Sequence, residues 1–94
     1  MQKQLEDYYS GDEAWAANVT AATQYWTNSP LQRTLVARVN NDLELAIMIY
    51  GKIGDDCLEW LEMRVPALGG RKPINCLKSP RFVRRLREAL MRID

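Results

Sequence analysis

Leu43-Glu44-Leu45-Ala46-Ile47-Met48-Ile49-Tyr50-Gly51-Lys52-Ile53-Gly54 is the stretch that decides the fold class. Leu45 to Ile49 is apolar almost all round, as a helix in the centre of a small bundle must be. Working back along the chain, Leu31, Leu35, Val39, Leu43, Ile47, Tyr50 and Ile53 recur at helical spacing. That pattern predicts one long amphipathic helix from Leu31, with Arg33, Arg38, Asn41 and Asp42 facing water. Gly54 closes it, and Asp55 or Asp56 stands ready to cap a following helix that carries Leu58, Trp60 and Leu61 and ends before Pro66.

Both flanks also read as helix. Ser10-Gly11-Asp12-Glu13 has the capping-box pattern, with Ser10 as N-cap and Glu13 reaching back. Trp15, Val19, Ala22 and Trp26 then share one face until Asn28-Ser29-Pro30 stops the run. Ahead of Ser10, Leu5, Tyr8 and Tyr9 suit a short, loosely packed helix. Beyond Pro66, residues Pro73 to Leu77 suit a single turn, and Ser79-Pro80 reads as N-cap plus first helical residue. A last helix to about Arg92 follows, with Phe82, Leu86, Ala89, Leu90 and Ile93 inward. Arg81, Arg84, Arg85, Arg87 and Arg92 fall on its outer face. Strand alternation is nowhere convincing, so the expected fold is all-α, a compact bundle of five or six short helices. No repeat or linker divides it, and 1–94 reads as one helical domain.

Composition narrows the function. The chain has 94 residues, 47% of them hydrophobic and 27% charged, which is globular composition and enough for one core. No apolar run approaches the ~18 residues of a membrane span, and no basic stretch followed by an apolar one marks a secretory signal. Asn18-Val19-Thr20 matches a glycosylation sequon by chance. Cys57 and Cys76, with no histidine in the chain, are too few and too far apart for zinc and read as small buried hydrophobes. A reducing compartment such as a bacterial cytosol fits them.

Charge is unevenly spread although the net is +1. Before Pro30, Lys3 stands against Glu6, Asp7, Asp12 and Glu13. From Arg71 onward, Arg71, Lys72, Lys78, Arg81, Arg84, Arg85, Arg87 and Arg92 face only Glu88 and Asp94. Such an end suits an acidic protein surface or nucleic acid, or simply a solvated helix face. Five arginines on one helix could neutralise phosphates. Against nucleic acid stand the small net charge and the absence of any Lys or Arg from Asp12 to Trp26, which leaves that helix no basic recognition face. Trp15, Tyr25 and Trp26 fit either a core stripe or an exposed aromatic interface, in a homodimer or against a partner.

Catalytic chemistry finds no support. No activating base accompanies either cysteine, and no nucleophile-elbow or phosphate-loop spacing occurs. Asp55-Asp56 at a helix start is a capping pair before it is an acid–base pair. Gly69-Gly70-Arg71-Lys72 lacks the glycine frame and the Lys-Ser/Thr ending of a phosphate loop. No enzymatic activity, cofactor or metal is expected.

Trp60 to Leu77 carries the most specific signal. Gly69-Gly70 can take positive φ without steric cost, making a tight turn that bares backbone beside Arg71 and Lys72. The string W-L-x4-P-A-L-G-G-x-x-P-x-x-x-L, set by Trp60, Leu61, Pro66, Leu68, Gly69, Gly70, Pro73 and Leu77, resembles the Xre/MbcA/ParS toxin-binding domain of bacterial toxin–antitoxin systems. The resemblance covers about Leu43 to Ile93, while 1–42 holds N-terminal helices without a clear DNA-binding motif.

The resemblance implies an antitoxin whose partner is a protein toxin, most often a RES-domain enzyme that depletes NAD by hydrolysis or phosphorolysis. It implies a steric mechanism in which the domain covers the toxin's active site. Many members also carry a helix-turn-helix, dimerise and repress their own operon. Carried onto this chain, the contact residues are Gly69, Gly70, Arg71 and Lys72 of the turn, with Arg81, Arg84, Arg85 and Arg87 extending the surface. Two departures stand out. Arg64-Val65 replaces the family's usual Pro-Asn before the core motif, and Phe82 follows Ser79-Pro80-Arg81 where the family tends to have glycine. Valine tolerates left-handed backbone poorly, so a different turn geometry is expected. The missing DNA reader favours an immunity protein, or an antitoxin that leaves repression to another factor.

Overall fold

In the computed structural model, which describes residues 3–93, α1 spans Asp12–Ala22, α2 Pro30–Arg38, α3 Leu43–Ile53, α4 Cys57–Leu61 and α5 Pro80–Met91. Short 3₁₀ segments fill the joints, at Leu5–Tyr8, Thr23–Tyr25, Gly54–Asp56, Pro66–Leu68 and Pro73–Lys78. The architecture is all-α, and no strand occurs among the described residues. α3 is the central element, packed on α1, α2, α4 and α5. Leu45, Ala46, Ile47, Met48 and Ile49 are all buried, so its centre is surrounded as its composition demands. α1 lies very close to it: a Cβ added at Gly51 would stand 2.9 Å from the Ala22 Cβ. Trp15, Val19 and Ala22 are buried along α1, and Trp26 meets Tyr50 edge-to-face at 6.3 Å.

The long helix expected from Leu31 is two helices. Asn40 and Asn41 take left-handed backbone, at φ 60° and 63°. The Asn41 amide closes α2 by donating to the Val36 carbonyl. Asparagine is the non-glycine residue that visits this region most readily. Asp42 then starts α3, its carboxylate accepting from the Leu45 amide at 3.1 Å. Leu43 therefore opens a new helix and stands 50% exposed rather than in the apolar stripe. Asp42→Ala is expected to cost about 1 kcal/mol, read as a lower urea midpoint with an unchanged slope.

Other local expectations are revised too. Gly11, not Ser10, is the N-cap residue of α1, and no side chain caps it. Ser10 instead gives both its amide and its hydroxyl to Glu88 Oε1, each at 2.9 Å, because that carboxylate is buried on α5 and needs donors. The reciprocal cap occurs at α2, where the Ser29 hydroxyl accepts from the Gln32 amide and the Gln32 side chain answers at the Ser29 amide. Asp56 occupies the N-cap of α4 without a side-chain bond, while Asp55 accepts from the Tyr50 hydroxyl at 2.8 Å. Ser79-Pro80 does start α5, though the serine side chain bonds no helix amide. Cys57 and Cys76 are fully buried and free, and burial pushes both thiols up. No described helix is long and apolar enough to cross a membrane.

Candidate docking surface

The glycine turn is a closed loop with a buried anchor. Val65 and Arg71 form an antiparallel bridge, with the Val65 amide donating to the Arg71 carbonyl at 3.1 Å. Between them Pro66–Leu68 makes one 3₁₀ turn, and Gly69 and Gly70 follow at φ 69° and 78°. Val65 itself is extended, at φ −105° and ψ 120°, so valine there carries no strain. Only the glycines require left-handed backbone in this turn. Leu68 is completely buried beneath it, as are Leu61 and Cys76 nearby in sequence. Pro73 is buried, Trp60 and Leu77 are partly buried, and Pro66 is exposed.

Gly69 also makes room for a cation. A Cβ there would sit 3.2 Å from Arg85 Nη1 and 3.5 Å from Arg71 Nη1. Both guanidiniums, with that of Arg81, gather around the Phe82 ring, at 4.3 Å for Arg71, 5.1 Å for Arg85 and 5.7 Å for Arg81. Phe82 thus serves as a platform for arginines, the cation–π arrangement that a glycine at this position would not support.

The expected outer row of arginines is divided by the structure. Arg85 is only 5% exposed and lies inside, paired with Glu6, whose exposure is 6%. Its Nε and Nη2 donate to the two Glu6 oxygens at 2.7 and 3.1 Å, a bidentate pair, and Arg81 donates to the same carboxylate. The Leu5–Tyr8 segment is therefore strapped to α5 by a buried ion cluster, and the loose packing expected of it does not occur. The hydrogen bonds from Arg85, opposed by burial and reinforced by Arg81, hold the Glu6 carboxyl down at about 2.

Arg87 is also inward, with its guanidinium 4.7 Å over the Trp15 ring. It donates to the Tyr9 hydroxyl at 3.2 Å and lies 3.7 Å from Asp12, to which Tyr9 in turn donates. Arg92 pairs with Glu88 at 2.9 Å, and Lys72 lies 3.9 Å from Glu62, which also holds Arg38. Burial pushes the Glu88 carboxyl up, but the Arg92 and Ser10 donors outweigh it and its acidity rises. Among the described residues, Arg71, Lys78 and Arg84 have no carboxylate partner.

Of the residues singled out from sequence, Gly69, Gly70, Arg71 and Lys72 form the turn. Arg81 and Arg85 join Arg71 around Phe82, whereas Arg84 and Arg87 line a separate open depression with Lys78. Glu6, Ser10 and Glu88 went unnoticed as partners of these cations. The Glu6 contacts to Arg81 and Arg85 join residues 75 and 79 positions apart, and Ser10 reaches Glu88 across 78, so no local spacing reveals them. Glu88 and Arg92, by contrast, are an i,i+4 pair that helical spacing does contain. No protein-family model, curated protein or solved structure matches the chain.

Proposed function

We propose that this chain is a non-catalytic inhibitor, an antitoxin or immunity protein of the bacterial cytoplasm that covers the active site of a RES-like, NAD-consuming toxin. The observation that carries the reading is the Val65–Arg71 turn. Two left-handed glycines on a buried leucine anchor bare the backbone beside an exposed Arg71 that lacks a carboxylate partner among the described residues. A domain of this size can supply one face of an interface of about 1,200–2,000 Å² in total. The resemblance of Trp60 to Leu77 to toxin-binding domains supplies the partner class. Of the three aromatic residues that could serve a homodimer, Tyr25 is exposed, Trp26 is half-buried and Trp15 is core.

A nucleic-acid regulator is less well supported. Arg81, Arg85, Arg87 and Arg92 each have a carboxylate within 4 Å, leaving α5 with Arg84 as its one arginine without such a partner among the described residues. Phosphate binding draws on several accessible cations at once.

The test is co-expression with the protein encoded beside this one, capture through a tag on this chain, and an NAD assay of the complex. A partner that consumes NAD only after this chain is removed supports inhibition. Failure to capture it, or a partner without effect on NAD, overturns the reading. Within a functional complex, Arg71→Ala is expected to weaken inhibition at least tenfold, the loss typical of an interfacial arginine anchor. Unchanged inhibition would take the Arg71 side chain out of the contact.

A further inference from the structure

Away from the Phe82 cluster, an open groove of about 500 Å³ runs between α5 and the N-terminal segment. Leu77, Pro80 and Val83 give it an apolar lining, and Lys78, Arg84 and Arg87 surround them. One acid, Asp12, also reaches the groove, already engaged by the Tyr9 hydroxyl at 2.9 Å and by Arg87 at 3.7 Å. Lys78 and Arg84 are exposed and without carboxylate partners among the described residues.

That combination selects an occupant. A small anion would use the cations and leave the apolar lining wet. A nucleic-acid backbone would bring closely spaced phosphates past Asp12, with two uncommitted cations to receive them, and would also leave Leu77 and Val83 unused. An acidic amphipathic peptide satisfies both halves, burying an apolar side chain while its carboxylates meet Lys78 and Arg84. We infer that this groove docks an acidic, amphipathic segment of a protein partner. The inference deepens the inhibitor reading, on which it rests, by assigning the partner's contact to the face of Leu77, Lys78, Val83 and Arg84 in addition to the glycine turn.

Two arms test it on the full chain. In the first, a fluorescein-labelled peptide of glutamate pairs alternating with leucine is titrated by fluorescence anisotropy against the parent and against Lys78→Glu/Arg84→Glu. Arg33→Glu/Arg38→Glu on α2 is the control of equal charge change, and circular dichroism checks that each variant is folded. Should the groove pair fail to fold, Lys78→Ala/Arg84→Ala replaces it. The groove reversal is expected to weaken binding about tenfold or more, because like charges then face each other, and the α2 reversal less than about twofold. Equal weakening by both pairs overturns the inference. So does binding no tighter than that of a peptide with lysine in place of glutamate, or tighter binding of a duplex DNA oligonucleotide through the same residues. In the second arm the same variants enter the co-expression capture. A partner held equally well by Lys78→Glu/Arg84→Glu overturns the groove but leaves the inhibitor reading standing. If the parent captures no partner the inhibitor reading falls, and the peptide arm still decides the groove.

Discussion

Glu6→Gln is expected to lower the unfolding free energy by about 3 kcal/mol, because it leaves the Arg85 charge buried without a counter-ion. The two side chains are 3% and 6% exposed, so neither can turn to water without moving the Leu5–Tyr8 segment off α5. Arg81, at 57% side-chain exposure, shares the carboxylate but is screened by solvent and contributes little to that figure. Removing both buried charges in Glu6→Gln/Arg85→Met is expected to recover much of the loss, since the penalty lies in the orphaned ion rather than in the missing bond. Urea unfolding followed by circular dichroism reads all three proteins, and a cost below about 1 kcal/mol for the single variant would mean that Arg85 finds water.

Acid should reproduce part of this effect. The Glu6 carboxyl lies at about 2 in the folded protein against 4.5 for an unperturbed glutamate. The unfolded chain therefore takes up the proton first as pH falls. Glu6's contribution is complete above about pH 4.5 and drains as pH approaches 2. Glu88 shifts in the same direction and adds to the slope. Across that window the parent should lose stability more steeply than Glu6→Gln, which keeps only the other carboxylates' share.

How far the chain could be read in advance depended on whether the information was local. The apolar periods of Trp15, Val19 and Ala22, and of Leu86, Ala89 and Leu90, identify faces that the structure buries. Both glycines of the turn have the positive φ that their residue type suggested. The break between α2 and α3 was also written locally, in Asn40-Asn41-Asp42, but an unbroken apolar spacing across it concealed the signal. Arg84 and Arg85 show what local pattern does not contain. One is exposed and the other 5% exposed, although they are adjacent cations on the same helix. The difference is Glu6, 79 residues from Arg85. α5 is covered by the Leu5–Tyr8 and Pro73–Lys78 segments as well as by α3, so its buried arc is wider than its apolar one. An arc completed by an ion pair leaves no hydrophobic period.

Leu68→Ala is expected to cost about 3 kcal/mol, within the range for truncating a fully buried leucine whose surroundings cannot collapse. The neighbours here are constrained: the Val65–Arg71 bridge closes the turn above, and Gly69 is tight against Arg85. Urea unfolding measures the loss, and a cost below about 1 kcal/mol would show that the turn closes over the gap. Arg71→Ala, by contrast, should change stability by no more than about 1 kcal/mol, the worth of an exposed cation–π contact with Phe82. The two substitutions therefore separate anchoring from recognition at a single turn. If the partner reads the Arg71 charge, Arg71→Ala loses it while the fold stands. If it reads the backbone displayed by Gly69 and Gly70, Leu68→Ala weakens capture even under conditions where that variant remains folded, and Arg71→Ala does not.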